Sequence, residues 1–407
     1  MELFLPFLLL IFASFFQGTF GLGMKYMNPM SWESWWVIHV LVAMILFPMI
    51  WAYIVIPDLF DIIASSPKDA IYSAMLYGFL WGIGGIMFGV SVPYIGLSLT
   101  MGIVMGLAGS AGSLIPLFQI ENATSQPSFP YIIGGLIISL IGVAITAKAG
   151  IDRDKLINSS KVDEPVSFNL RKVPFYVALI MLIISLANSI VVSNISILSA
   201  FAISLAAYFL YYILEELNPD MRSGNLFPDG FIILSKSKNI LKGLLIAVTC
   251  GLLSSLLNVG FANAAPIAEK AQEFGVITRN SSLAAWVVVL WGAFIMNFSY
   301  AVLLLFKNNS WSTFSLKNSL NAYKWSLIAG FCWFAALGVY GQGAALLGEI
   351  GPVIGWPILL GLSLIISNYW AYNAGEWDNA QKPFNKLLIG LFVLIISAVV
   401  LGLGNSV

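Results

Sequence analysis

Residues 34–56 read SWWVIHVLVAMILFPMIWAYIVI, a run that contains no Lys, Arg, Asp or Glu. An α-helix rises about 1.5 Å per residue, so about 20 apolar residues cross the hydrocarbon core of a bilayer. A helix also satisfies its own backbone hydrogen bonds, which lipid cannot do. This stretch therefore predicts a membrane-spanning helix.

The rest of the chain repeats this pattern. Of its 407 residues, 59% are hydrophobic and only 9% are charged, whereas a soluble domain carries about 25% charged residues. The apolar runs fall at about 3–24, 34–56, 70–92, 95–118, 130–148, 174–192, 196–214, 240–263, 283–306, 322–347, 351–372 and 384–404. We therefore expect an all-α polytopic membrane protein with ten to twelve transmembrane helices.

Lysine and arginine predict the orientation. Of the nineteen such residues, the three assigned to one side of the membrane are Lys68, Lys270 and Arg279. The others fall on the opposite side when alternate connections are counted. Because cytoplasmic loops are enriched in these residues, we expect the basic side to be cytoplasmic and both termini to be extracytoplasmic.

The two halves of the chain share weak internal similarity. Gly78-Phe79-Leu80-Trp81 reappears as Gly330-Phe331-Cys332-Trp333, and residues 14–20 resemble residues 255–261. The second copy begins on the opposite side of the membrane from the first. Inverted repeats of this kind are typical of transporters, with the substrate site where the repeats meet, near the middle of the membrane.

Polar and aromatic side chains inside the spans are the candidates for solute binding. A sugar-like solute needs hydrogen-bonding groups and flat aromatic faces. The candidates are Gln17, Trp81, Asn258, Asn297, Gln342, Trp356 and Asn368. Gln17 and Asn258 occupy equivalent repeat positions, which predicts one amide from each half at a shared interface; interhelical hydrogen bonding is the alternative. Trp35, Trp36 and Trp51 are expected at the membrane–water interface.

Two ionisable residues at membrane depth are the candidates for proton coupling, because such groups are costly there and are often functional. His39 lies within the second span, and histidine changes charge near neutral pH. Glu349 lies at the junction of two apolar runs, where a buried carboxylate could carry a proton. The alternatives are a packing or interfacial histidine and a solvated loop carboxylate.

No enzyme constellation accompanies these residues. The chain has a single histidine, a net charge of zero and two cysteines, Cys250 and Cys332, inside apolar runs. Nothing in it resembles a metal-ligand cluster or a phosphate-binding loop with its lysine. We expect no catalytic site, cofactor, metal or nucleic-acid partner.

Several collinear motifs resemble the L-rhamnose/proton symporter family of the drug/metabolite transporter superfamily. They are Ser31-Trp32-Glu33, Trp81-Gly82-Ile83-Gly84, Tyr94-Ile95-Gly96, Phe168-Asn169-Leu170-Arg171-Lys172, Lys242-Gly243, Cys250-Gly251, Asn263-Ala264-Ala265-Pro266 and Glu376-Trp377-Asp378-Asn379-Ala380. Together they cover about 1–172 and 236–407. The stretch 174–235 and the region Gln342–Trp356 depart from the family pattern.

The resemblance implies a ten-helix core of two inverted five-helix repeats in the inner membrane. We expect the first repeat at 1–150, a cytoplasmic linker at 151–238 with an inserted hydrophobic helix pair at 174–214, and the second repeat at 239–407. The implied activity is proton-coupled uptake of a sugar, L-rhamnose first, by alternating access. An exporter or facilitator of another metabolite, and a non-transporting sensor, are the alternatives. The expected partners are the sugar, the coupling proton and the lipid bilayer; a homo-oligomer remains open.

Overall fold

A computed structural model describes residues 4–157 and 238–405, and within these ranges the regular structure is entirely helical. The described part contains ten helices long and apolar enough to span a membrane, which confirms the predicted polytopic class. They correspond to ten of the twelve apolar runs. The other two, 174–192 and 196–214, lie outside the described residues.

The ten long helices are numbered in chain order. They are α1 (Phe4–Thr19), α2 (Trp32–Val55), α3 (Lys68–Ile95), α4 (Leu97–Gln119), α5 (Phe129–Ile157), α6 (Lys238–Asn263), α7 (Thr278–Asn308), α8 (Ser319–Leu346), α9 (Gly351–Asn373) and α10 (Gln381–Leu403). Short helices at Leu22–Lys25, Leu59–Ser65 and Ala265–Glu273 follow α1, α2 and α6. Among the described spans, α8 and α9 are the most buried.

The second helix is not regular throughout. It begins after Ser31, whose side chain accepts a hydrogen bond from the Ser34 backbone N–H at 3.3 Å. A π-helical turn then interrupts it at Val42–Leu46, just before Pro48. Proline has no N–H to donate and its ring crowds the preceding turn, and wider turns of this kind are frequent at functional sites.

Helices of each half pack against helices of the other half. The first helix packs on α8 and α9, and correspondingly α6 packs on α3 and α4. Helices that occupy equivalent positions run antiparallel where they touch. The contacts that show this are Gly135 with Leu401 and Gly142 with Leu394 for α5 and α10, and Gly109 with Leu360 and Gly112 with Trp356 for α4 and α9. This is the relation expected of two halves with opposite orientation.

One helix crossing is especially close. Where α3 meets α7, Gly292 lies against the backbone carbonyl of Met75, and Gly78 lies against the carbonyl of Val289. Small residues allow helix backbones to approach closely within membranes. Gly78 and Gly292 therefore allow the close contact between the two halves at this crossing.

Candidate functional site

His39 is enclosed by aromatic rings. Its ring lies stacked 4.9 Å from Trp36, 5.2 Å from Trp35 and 6.3 Å from Phe20, measured between centroids, and Trp333 meets it edge-on at 6.5 Å. We call these four aromatic residues the His39 cage. The histidine is 1% exposed, and neither ring nitrogen has a hydrogen-bond partner within the described structure.

An imidazole without partners is an unusual group in a protein interior. Burying a polar group without a hydrogen bond costs about 2–7 kcal/mol, depending on the reference state, and most buried polar groups are paired. Packing alone would be served as well by an apolar ring. The unused nitrogens of His39 are therefore the strongest indication of a ligand or proton site in this part of the chain.

Asn297 and Trp81 adjoin the His39 cage. The Trp36 indole N–H donates to the Asn297 side-chain oxygen at 3.2 Å, and the Asn297 amide donates to a carbonyl of its own helix at 2.9 Å. The Trp81 ring lies 5.4 Å from Trp333. The structure thus brings His39, Asn297 and Trp81 to one cluster, where α2, α3, α7 and α8 meet.

Gln17 lies at the same height as this cluster. Helix α1 and the short helix after it run antiparallel to α8, and two contacts give the register. These contacts are Gly343 with Leu9 and Gly23 with Ala329. Counting from them places Gln17 level with Ala335, two residues from Trp333. The Gln17 side-chain oxygen is buried and has no hydrogen-bond partner among the described residues.

Asn258 occupies a different environment from Gln17. Its amide donates to the carbonyls of Gly112 at 2.8 Å and Pro352 at 2.9 Å, and its oxygen accepts from the Tyr340 hydroxyl at 2.5 Å. These bonds join α6 to α4, α8 and the start of α9. The two amides predicted to be equivalent therefore differ in hydrogen bonding. The Asn258 side chain bonds to three protein groups, whereas the Gln17 side-chain oxygen has no partner among the described residues.

We predict that Asn258→Ala lowers stability more than it alters solute binding. The substitution removes the acceptor of the Tyr340 hydroxyl and a donor to the carbonyls of Gly112 and Pro352. A buried group left unsatisfied costs about 1–3 kcal/mol. Thermal unfolding of the purified protein should show a lower transition temperature. Asn385→Ala, on α10 with an amide that pairs only locally with Gln381, is the control. An unchanged transition for Asn258→Ala would contradict a structural role.

Three further candidates lie away from the His39 cage. The Trp356 indole donates to the Ala108 carbonyl at 3.0 Å and is buried between helices. Gln342 donates to Asn280 at 3.1 Å near the end of α8. Asn368 donates to the Leu364 carbonyl of its own helix at 2.8 Å and lines a separate cavity.

Glu349 is exposed, as in the alternative of a solvated loop carboxylate, because it lies in the short 3-10 turn Gly348–Ile350 between α8 and α9, which begins at Gly348 with φ +71°. The expectation that Trp35 lies at the interface is wrong, because its side chain is fully buried. Trp51 is partly buried and packs against Gly338 and Phe334. The spacing Trp35-Trp36 to His39 is the signal that could have revealed the cage, since residues three and four apart share a helix face.

The separate cavity has a volume of about 230 Å³ and lies between α1, α4, α5 and α9. At its mouth Glu376 pairs with Lys25 at 2.5 Å and with Arg153 at 3.4 Å. Arg153 also pairs with Asp154 at 2.8 Å, and its guanidinium lies 4.8 Å from the centroid of the Trp377 ring. We call this cavity the vestibule and the end of the bundle that holds Lys25 and Arg153 the basic end.

These features define a polytopic, all-helical membrane protein with polar groups and aromatic rings clustered among its central helices. The chain belongs to the L-rhamnose-proton symport protein family, whose profile matches residues 7–241 and 217–407. L-rhamnose-proton symporters of Yersinia pestis and Yersinia pseudotuberculosis are 23% identical to it over 391 residues, 94% of this chain and 92% of each relative. No solved structure matches the chain significantly.

The family match confirms the resemblance and places the chain among membrane transporters rather than enzymes. The first matched range includes residues 174–235, although none of the motifs that resemble the family lies in that stretch. Assignment of particular side chains to the solute or the proton still depends on the geometry described above.

Proposed function

We propose that this protein takes up a neutral sugar together with a proton, and that L-rhamnose is the first candidate for that sugar. In this proposal movement of the two halves opens the His39 cage alternately to the two sides of the membrane. The relatives that cover nearly the whole chain are named L-rhamnose-proton symporters. The observation that carries the proposal is the buried histidine with two unused nitrogens, ringed by aromatic faces. It combines a group that can hold a proton with surfaces that suit a sugar ring.

Each part of the site has a chemical role in this proposal. Aromatic faces pack against the C–H surfaces of a sugar, while the Gln17 oxygen and the Asn297 amide bond its hydroxyls. His39 takes up the coupling proton when the site opens to water, because its two ring nitrogens have no other hydrogen-bond partner among the described residues. The role of Glu349 in coupling is not favoured, because its side chain is exposed.

The antiparallel pairing of equivalent helices supports alternating access, in which two inverted halves rock about a central site. The predicted enrichment of Lys and Arg at the basic end further supports a cytoplasmic position for that end, in the inner membrane of a bacterium. The boundaries of the repeats at 1–150 and 239–407 belong to the same proposal.

The direct test is uptake of radiolabelled L-rhamnose into proteoliposomes under an inward proton gradient. A gradient of about one pH unit carries about 1.4 kcal/mol per proton, enough for about tenfold accumulation with one proton per sugar. We expect accumulation that collapses with an uncoupler and that is absent from protein-free liposomes.

Other results would replace the proposal with a defined alternative. Accumulation under a sodium gradient alone would indicate a different coupling ion. Equilibration without accumulation would indicate a facilitator. Saturable binding of L-rhamnose without any flux would favour a sensor.

A further inference from the structure

The vestibule is separate from the His39 cage. The first helix and the turn after it stand between them: Gly18 and Gly21 line the vestibule, whereas the Phe20 ring stacks on His39. Asn368, an amide predicted to contact solute, lines the vestibule and not the cage. Any solute held in the vestibule would therefore contact a different set of side chains.

The charges in the ion-pair network at the vestibule balance. Lys25 and Arg153 line the cavity and both pair with Glu376, which also lines it, and Arg153 pairs with Asp154 outside the lining; the three distances are 2.5–3.4 Å. A phosphate or carboxylate ligand would have to displace one of these carboxylates. A neutral ligand could instead exchange individual hydrogen bonds with the same groups and leave the charge balance intact.

The vestibule also has unused hydrogen-bonding capacity. Trp377 is 6% exposed, and its indole N–H is buried without an acceptor in the described structure. The Asn368 side chain donates one N–H to the Leu364 carbonyl of its own helix, so its second N–H and its oxygen remain able to bond a ligand. A hydroxyl group both donates and accepts, so a polyhydroxylated molecule matches a carboxylate, an amide and free N–H groups together.

Four glycines line the vestibule. They are Gly18, Gly21, Gly102 and Gly150, so backbone from three helices or helix ends borders the cavity. The Arg153 guanidinium is held over the Trp377 ring, which fixes a planar set of donors at the mouth. The cavity is thus a shaped, charge-neutral recess with fixed polar groups.

We propose that the vestibule is a second binding site, for a neutral polyhydroxylated solute, at the basic end of the bundle. This inference rests on the proposed function, because a transported sugar is the solute of that class that the protein would meet. Glu376 lies at the mouth between Lys25 and Arg153, and solute hydroxyls take over part of its hydrogen bonding when the site fills.

Protection of a cysteine from alkylation tests this site without measuring transport. Ser367→Cys is introduced after Cys250→Ala and Cys332→Ala, and a membrane-impermeant maleimide is applied to protein in detergent with and without L-rhamnose. At a sugar concentration ten times the Kd, about one-tenth of the sites remain free, so labelling should slow about tenfold. Lys382→Cys, exposed at the start of α10 and not among the residues that line the vestibule, should label at the same rate with and without the sugar.

Two further variants separate a vestibule site from indirect effects. In a Gln17→Ala background protection of Ser367→Cys should persist, because Gln17 does not line the vestibule; loss of protection there would assign the effect to the His39 cage and overturn the inference. Thr146→Cys provides a second reporter from α5, lining the same cavity, if Ser367→Cys does not fold.

The outcomes also distinguish this inference from the proposed function. Uptake of L-rhamnose with unprotected reporters would overturn the vestibule site and leave symport intact. Protection that persists in the Gln17→Ala background, together with no proton-driven uptake by the wild-type protein, would keep the binding site and remove the transport proposal. Unprotected reporters and no uptake would overturn both.

Discussion

His39→Phe should abolish proton-driven accumulation of L-rhamnose while sugar exchange across the membrane continues. Phenylalanine keeps a flat ring that can stack on Trp35 and Trp36 but cannot hold a proton. Because neither nitrogen of His39 has a partner among the described residues, no hydrogen bond is lost. We therefore expect a folded variant that has lost its coupling group.

The measurement compares two assays on the same proteoliposomes. Proton-driven uptake should lose the about tenfold accumulation that a gradient of about one pH unit supports, while counterflow with sugar on both sides should remain near the wild-type rate. Tyr53→Phe is the matched control, because it removes a polar group from the outer, exposed face of the same helix. Full accumulation by His39→Phe would show that another group carries the proton.

Gly292→Ala should disrupt the crossing of α3 and α7. A Cβ atom at this position would lie 1.8 Å from the carbonyl oxygen of Met75, and one at Gly78 would lie 2.0 Å from the carbonyl oxygen of Val289. Both obstacles are backbone atoms, which cannot rotate away as a side chain can. Relief requires separation of the two helices, and overpacking of this kind costs about 1–3 kcal/mol or more.

The expected result is a lower yield of monodisperse protein and a lower unfolding temperature. The double variant Gly78→Ala/Gly292→Ala should unfold at a lower temperature than either single variant. Gly85→Ala is the matched control on α3, because no atom lies within 4 Å of the position that its Cβ would occupy. It should be neutral or slightly stabilising, since alanine favours helix over glycine by about 1 kcal/mol. Equal behaviour of Gly85→Ala and Gly292→Ala would refute the role of the close crossing.

The spans were predictable because hydrophobic length is a local property of the sequence. The apolar run at 34–56 corresponds to the helix Trp32–Val55, and nine other apolar runs each correspond to a long helix of the described structure. The pair at 174–214 lies outside the described residues, so its predicted insertion remains a prediction. The π-helical turn at Val42–Leu46 was not predicted, because it depends on how the chain accommodates Pro48.

The site was predictable in part. His39, Asn297 and Trp81 could be selected as polar or aromatic residues at membrane depth, but their grouping depends on contacts between helices far apart in sequence. The same holds for Asn258, whose partners lie on α4, α8 and α9. For Glu349 the apolar flanks left burial and solvent exposure as alternatives, because they do not reveal that a short turn places the side chain outward.

The pairing of α5 with α10 bears on how the protein is made. The helix that closes the first half packs mainly on the last helix of the chain, through Gly135, Gly142 and Gly390. Ribosomes deliver helices in order, so α5 enters the membrane before its main partner, α10, has been made. The pairing of the two helices can therefore form only after Gln381–Leu403 has been synthesised, and a nascent chain stalled before Gln381 would lack this contact between the halves.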